Sequence, residues 1–133
     1  MKDDVMKIFM LLMLTSMLMM VAAPAWSVEV LHALQCEQDD ALSDEKLEAV
    51  TAEWLKAAKT VKGGENLKLR MQFPVAAKVG EVDVVMLIIG PSFAEWGAFM
   101  DNYPGSAAEA VDEKYADDLD CGNGTLWESV LIE

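Results

Sequence analysis

His32 is the only histidine of the chain, so a two-histidine metal centre within one copy is excluded. Lying between Val30 and Leu34, its imidazole suits proton transfer or axial ligation of a haem if it faces a cavity. In ordinary packing the same ring is a partly buried, hydrogen-bonded core side chain. Trp54, Phe93, Trp96, Phe99 and Tyr103 recur at helical spacing, which serves either a packed core or an apolar pocket for a flat aromatic ligand. His32, Trp96 and Tyr103 are therefore the candidate ligand-binding residues. Tyr103 and Tyr115 each bring a hydroxyl, but nothing in the sequence pairs either with a base. No Ser/His/Asp arrangement forms around the single histidine, so no catalytic residue is assigned.

The two cysteines, Cys36 and Cys121, are too far apart for a CxxC redox motif, and a structural bridge is the chemistry expected of them. Asp112, Glu113, Asp117, Asp118 and Asp120 suggest calcium, yet the EF-hand spacing fails. Started at Asp118, the third ligand position falls on Gly122 and the twelfth on Ser129 rather than Glu. A solvated helix face followed by a turn accounts for the run. Neither a metal nor an obligate cofactor is expected, and haem is the one group worth testing. Asn123-Gly124-Thr125 has the form of a glycosylation acceptor, but Asn-Gly ahead of a strand reads first as a turn.

The compartment is read from the N-terminus. Lys7 precedes an apolar run from Ile8 to Val21, then small residues at Ala23-Pro24-Ala25 and Ala25-Trp26-Ser27. That charged, apolar and small-residue order is the signature of a cleaved secretory signal. The run is shorter than the roughly 20 residues of a spanning helix. Residues 1–27 are thus expected to be removed after Ala25 or Ser27, leaving a domain over 28–133 that works in the periplasm or outside the cell. Either Met1 or Met6 serves as the start. Removal takes two basic and two acidic residues, so the net charge stays at −13. It also takes most of the methionines, which leaves no soft-metal motif. Cys36 is too far past the apolar run to carry a lipid anchor. An acidic surface repels phosphate backbones and anionic lipid, which argues against nucleic acid and membranes as partners and suits solubility or a cationic ligand.

These residues need elements to position them. Val28–Cys36 alternates as a strand with His32 and Cys36 on the same face. Ser43, with Asp44 and Glu45 behind it, starts an amphipathic helix over 43–62 that buries Leu47, Val50, Trp54, Leu55, Ala58 and Val61. Gly63-Gly64 stops it. Leu67, Leu69, Met71 and Phe73 alternate with polar residues, as in a strand with one wet face. Val82–Ile89 is apolar almost throughout and needs cover on both faces. Ser92 with Glu95, and Ser106 with Glu109, are capping-box spacings that begin two further helices. Phe93, Trp96, Phe99 and Met100 form the buried side of the first, and the second runs to about Leu119. The last strand is expected over Thr125–Ile132, after a turn at Asp120–Gly124.

This order predicts an α+β, ferredoxin-like βαββαβ fold, a four-stranded antiparallel sheet of order 4-1-3-2 with its helices on one face. The topology brings the end of the first strand beside the beginning of the fourth, so Cys36 and Cys121 should bond. Closing so long a loop is worth about 4 kcal/mol on the chain-entropy scale.

With that order, and with Val84–Ile89 running into Pro91-Ser92-Phe93-Ala94-Glu95-Trp96, the chain resembles the dimeric α/β-barrel superfamily. That group includes the antibiotic-biosynthesis-monooxygenase-like and stress-responsive barrel domains. The resemblance covers roughly residues 28–132 and rests on element order, since no family's catalytic set is matched. It implies a homodimer through the sheet face and a cavity between sheet and helices. It also implies cofactor-free oxygenase or haem and aromatic-ligand handling as an alternative to the leading expectation, which is a binding or structural module rather than a catalyst.

Overall fold

The computed structural model describes residues 28–75 and 83–131. The predicted signal segment 1–27, the loop through Lys78 and Gly80, and the predicted strand residues Val82 and Ile132 lie outside them. Four strands and three helices follow in the order β1 (Glu29–Gln38), α1 (Asp44–Ala58), β2 (Lys68–Gln72), β3 (Val84–Gly90), α2 (Phe93–Asn102), α3 (Ala107–Lys114) and β4 (Leu119–Ser129). The sheet is antiparallel with order β2-β3-β1-β4, the expected 4-1-3-2 order read from its other edge. The fold is ferredoxin-like, with the helices on one face.

Each helix begins where a serine hydroxyl accepts a hydrogen bond from a first-turn amide. Ser43 accepts from Lys46, Ser92 from Glu95 and Ser106 from Glu109. These caps satisfy amides that the helix itself leaves free. Helix α1 ends four residues short of its predicted limit, because Thr60 and Val61 bond three residues back instead of four. The chain then turns at Gly63, whose φ of +88° favours glycine. A Cβ there would lie 2.5 Å from the backbone of Glu95 and Phe99, so α1 delivers the chain directly onto α2.

Helix α2 buries Trp96 and Phe99, whereas Phe93 and Met100, expected beside them, are 49% and 44% exposed. At 3.6 residues per turn those two fall about a quarter turn from the line through Trp96, Phe99 and Tyr103. They form the rim of the face and not its centre.

The larger correction concerns β4. It begins at Leu119, not Thr125, and α3 stops at Lys114. Residues 119–122 lie along β1, with Cys36 opposite Cys121 and Gln38 opposite Leu119. Asn123, the one non-glycine residue with positive φ (50°) among those described, takes up an extra residue where the register shifts between Ala33 and Gln35. Asn123-Gly124 therefore makes a β-bulge inside the strand and not a turn before it. The Cys36–Cys121 disulfide joins the two strands at this end.

The core has two clusters on the helix side of the sheet. One gathers Val30, Trp54, Leu67, Trp96 and Phe99 among others; the second gathers Cys36, Leu42, Leu47, Val84 and Met86. Leu34 and Leu69 pack against both. Among the described residues, no helix covers the other face of the sheet. Register places Lys68, Ile89, Leu31 and Trp127 in one row across it, and Arg70, Leu87, Ala33 and Thr125 in the next. Ile89 is buried in its row, beside the 3.7 Å ion pair of Lys68 with Glu29. Val85, Leu87 and Leu31 are only half-buried, and Trp127 is 59% exposed. Among the described residues, the second face of the apolar third strand is thus left open.

Candidate functional site: a cavity between sheet and helices

Where the two core clusters part, the sheet and helices bound a half-open cavity of about 370 Å³. That is within the ~300–1,000 Å³ of small-molecule sites. Strand periodicity supplies its floor: Leu34, Leu69, Met86 and Ile88 share the helix face, with Leu34 opposite Met86 and Leu69 opposite Ile88. Helical spacing supplies the walls, Val50 and Trp54 from α1, and Val111, Asp112 and Tyr115 from α3 and its C-cap. Leu119, Asp120 and Cys121, held against β1 by the disulfide, complete the lining.

Most polar groups around this space are already engaged. The Thr51 hydroxyl donates 2.8 Å to the Leu47 carbonyl. Tyr115 donates 2.8 Å to Glu53, which also pairs with Lys114 at 2.9 Å, so α3 is fastened to α1 from outside. The Lys114 ammonium, then the Tyr115 hydroxyl, hold the Glu53 carboxyl below its usual range. Asp112 accepts a hydrogen bond from Tyr103 through Oδ2. Two groups remain. The Trp54 indole Nε1 is buried without a hydrogen-bond partner of good geometry, which is costly for a polar group removed from water. Asp112 is an exposed residue, yet partial burial of its carboxyl pushes the pKa up from its ordinary value, and a hydrogen bond from the Trp54 indole N–H partly offsets that push.

The predicted ligand residues lie elsewhere on the same side of the sheet. His32 and Trp96 are brought together, ring centroids 5.1 Å apart and edge to face. Trp96 continues to Phe99 at 5.8 Å and Phe99 to Tyr103 at 5.6 Å, a row of rings along α2. None of His32, Trp96 or Tyr103 is among the residues lining the cavity. Tyr103 reaches it only through Asp112. Burial lowers the His32 pKa, which favours the neutral imidazole, and its Nδ1 is buried with no partner among the described residues. Its Nε2 faces Gly124, where a Cβ would come within 2.7 Å. A ring held edge-on to Trp96 with one nitrogen enclosed and the other against backbone does not fit an axial haem ligand.

The pair that the sequence reading missed is Trp54 with Asp112. Trp54 was counted with the aromatics, and Asp112 was absorbed into the acidic run. Its signal was its place beside Val111 and three residues before Tyr115, on the apolar edge of α3. Asp112, Glu113, Asp117, Asp118 and Asp120 are all exposed, and no group of three metal-binding side chains is assembled among the described residues. No helix among them is long and apolar enough to cross a membrane.

No protein-family model matches the chain, and no curated protein matches it in sequence. Solved structures do match in fold. A dimeric ferredoxin-like protein of unknown function from Thermobifida fusca superposes with a TM-score of 0.50 at 13% identity, over 83% of this chain and 97% of that one. A protein of Arabidopsis thaliana gives 0.54 at 14% identity, over 78% and 96%. A chlorite dismutase-like protein gives 0.50 at 11% identity over 80% of this chain, which spans only 46% of that longer one. At these identities the likeness is one of fold, the ferredoxin-like one.

Proposed function

We propose that this chain is an exported, homodimeric binding module that holds a small apolar molecule between its sheet and its helices. The observation that carries the reading is the cavity, with its apolar floor of Leu34, Leu69, Met86 and Ile88. Sites for small molecules have this composition, mostly apolar walls with a few polar groups that fix orientation. Among the described residues, no nucleophile, base and orienting group are assembled around it, so binding is favoured over catalysis. Export is supported by the disulfide, a bond that persists in oxidising compartments, and by the order of residues 1–27. The homodimer is supported by the open sheet face around Leu31, Leu87 and Trp127. The Thermobifida fusca protein of the same fold is itself dimeric.

Titration with a neutral hydrophobic dye, N-phenyl-1-naphthylamine, tests the site. One dye should bind per chain. Ala116→Trp, an exposed position on the lining, should block it without loss of fold. Equal binding by this variant, or no binding by either protein, would contradict the reading.

A further inference from the structure

One wall of the cavity is held differently from the rest. Leu119, Asp120 and Cys121 line it in succession, and little in that stretch favours strand pairing. Gly122 brings no side chain, and the Asn123-Gly124 bulge cuts the stretch off from the remainder of β4. Asp120 stands directly opposite Glu37 on β1, a placing of like charges that weakens a strand pair. Asp83 flanks β1 at the same level, its amide donating 3.1 Å to the Cys36 carbonyl. All three acids are exposed, and the ion pairs among the described residues lie elsewhere.

One covalent bond opposes this repulsion. Cys36 and Cys121 are cross-strand partners joined by the disulfide, and their surroundings are unequal. Cys36 is wholly buried beside Leu42, Leu47, Val84 and Met86, where a free thiol would pack as a small apolar side chain. Cys121 is an exposed residue on the wall of a half-open cavity, so a reductant meets it first.

We infer that the Cys36–Cys121 bond is a redox latch on the cavity: a dithiol reductant that opens it frees the 119–122 wall and releases the bound molecule. The reductant's thiolate attacks Cys121 Sγ, the S–S bond breaks, and the electron pair leaves on Cys36 Sγ, which takes up a proton. The second thiol of the reductant then attacks the mixed disulfide, so that Cys121 departs as a thiol and the reductant as a cyclic disulfide. This rests on the cavity being the binding site and adds its regulation.

The test compares the purified, disulfide-bonded protein with the same protein reduced by dithiothreitol. Each is titrated with N-phenyl-1-naphthylamine while far-ultraviolet dichroism is recorded. Dichroism should persist on reduction, and the dye should bind roughly tenfold more weakly, within the range typical of coupled sites. By reciprocity, the dye should shift the protein towards its disulfide form in a dithiothreitol redox buffer. Salt at about 1 M shortens the reach of exposed charges to about 3 Å and should narrow the affinity gap between the two forms. Glu37→Gln, outside the cavity lining, should bind the dye normally when oxidised and show the same narrowed gap when reduced. Equal affinity of the oxidised and reduced forms would overturn the latch and leave the cavity reading standing. So would a gap that neither salt nor Glu37→Gln alters, or a loss of all dichroism on reduction, since the bond would then hold the whole fold. Absence of dye binding by either form would remove the cavity reading and the latch with it.

Discussion

At the scale of single residues, His32 is best understood with Gly124. The ring is edge-on to Trp96, and a Cβ on residue 124 would meet its Nε2 at 2.7 Å and the Leu34 side chain at 3.1 Å. Gly124→Ala should therefore cost about 1–3 kcal/mol by overpacking. His32→Ala in the same chain should recover part of that, a coupling that a double-mutant cycle in urea would measure. Because burial depresses the His32 pKa below the ordinary 6.5, the unfolded chain binds the proton more readily than the folded one. Stability should fall as pH drops below about 6.5 and level off once the folded pKa is passed. In His32→Gln that part of the pH dependence should vanish from urea midpoints. Asp112 acts with the opposite sign in a lower window: its folded pKa is raised, so its ionised form subtracts stability, and the loss is relieved as pH falls through that pKa towards 3.8. Neither residue's situation was visible in the sequence. His32 was placed on the correct face by period two, but its distance from a cavity depends on Trp96. Asp112 was one acid in a run of acids, and only the packing of α3 on α1 turns it towards Tyr103.

At the scale of elements, alternation and capping made most of the architecture legible. Ser43, Ser92 and Ser106 each begin a helix as their spacing implies, and the β1–β4 pairing places Cys36 opposite Cys121. The start of β4 was not legible. Leu119–Gly124 contains three glycine or asparagine residues and one aspartate, the composition of a turn, and no alternation marks it. Pairing with β1 and the disulfide hold it in strand conformation against its local preference, with Asn123 absorbing the mismatch. Cys121→Ser should accordingly cost about 4 kcal/mol in urea unfolding. It should also make the amides of residues 119–122 the earliest of β4 to exchange. A stability unchanged from that of the parent would show that β1 alone holds the segment. The cavity escaped the sequence for a different reason: it lies between side chains of β1, β2, β3, α1 and α3, and its volume depends on where two core clusters separate.

At the scale of the whole molecule, the described residues pack one sheet face under helices and leave the other bare. Leu31, Ala33, Val85, Leu87 and Trp127 on the bare face give an apolar surface with Lys68, Arg70 and Gln72 along the β2 margin. The chain's strongly acidic balance keeps copies apart in general, so association should be confined to this surface. Light scattering should give a dimer. Trp127→Glu, at a position 59% exposed in the single chain, should give a folded monomer with unchanged far-ultraviolet dichroism. A parent protein that is already monomeric would refute the dimer. The account as a whole depends on the helix-covered side of the sheet being the side that binds. The direct measurement is a set of intermolecular nuclear Overhauser effects from bound N-phenyl-1-naphthylamine to protein methyl groups. The account predicts contacts to Leu34, Leu69, Met86 and Ile88; contacts to Leu31 and Leu87 instead would contradict it.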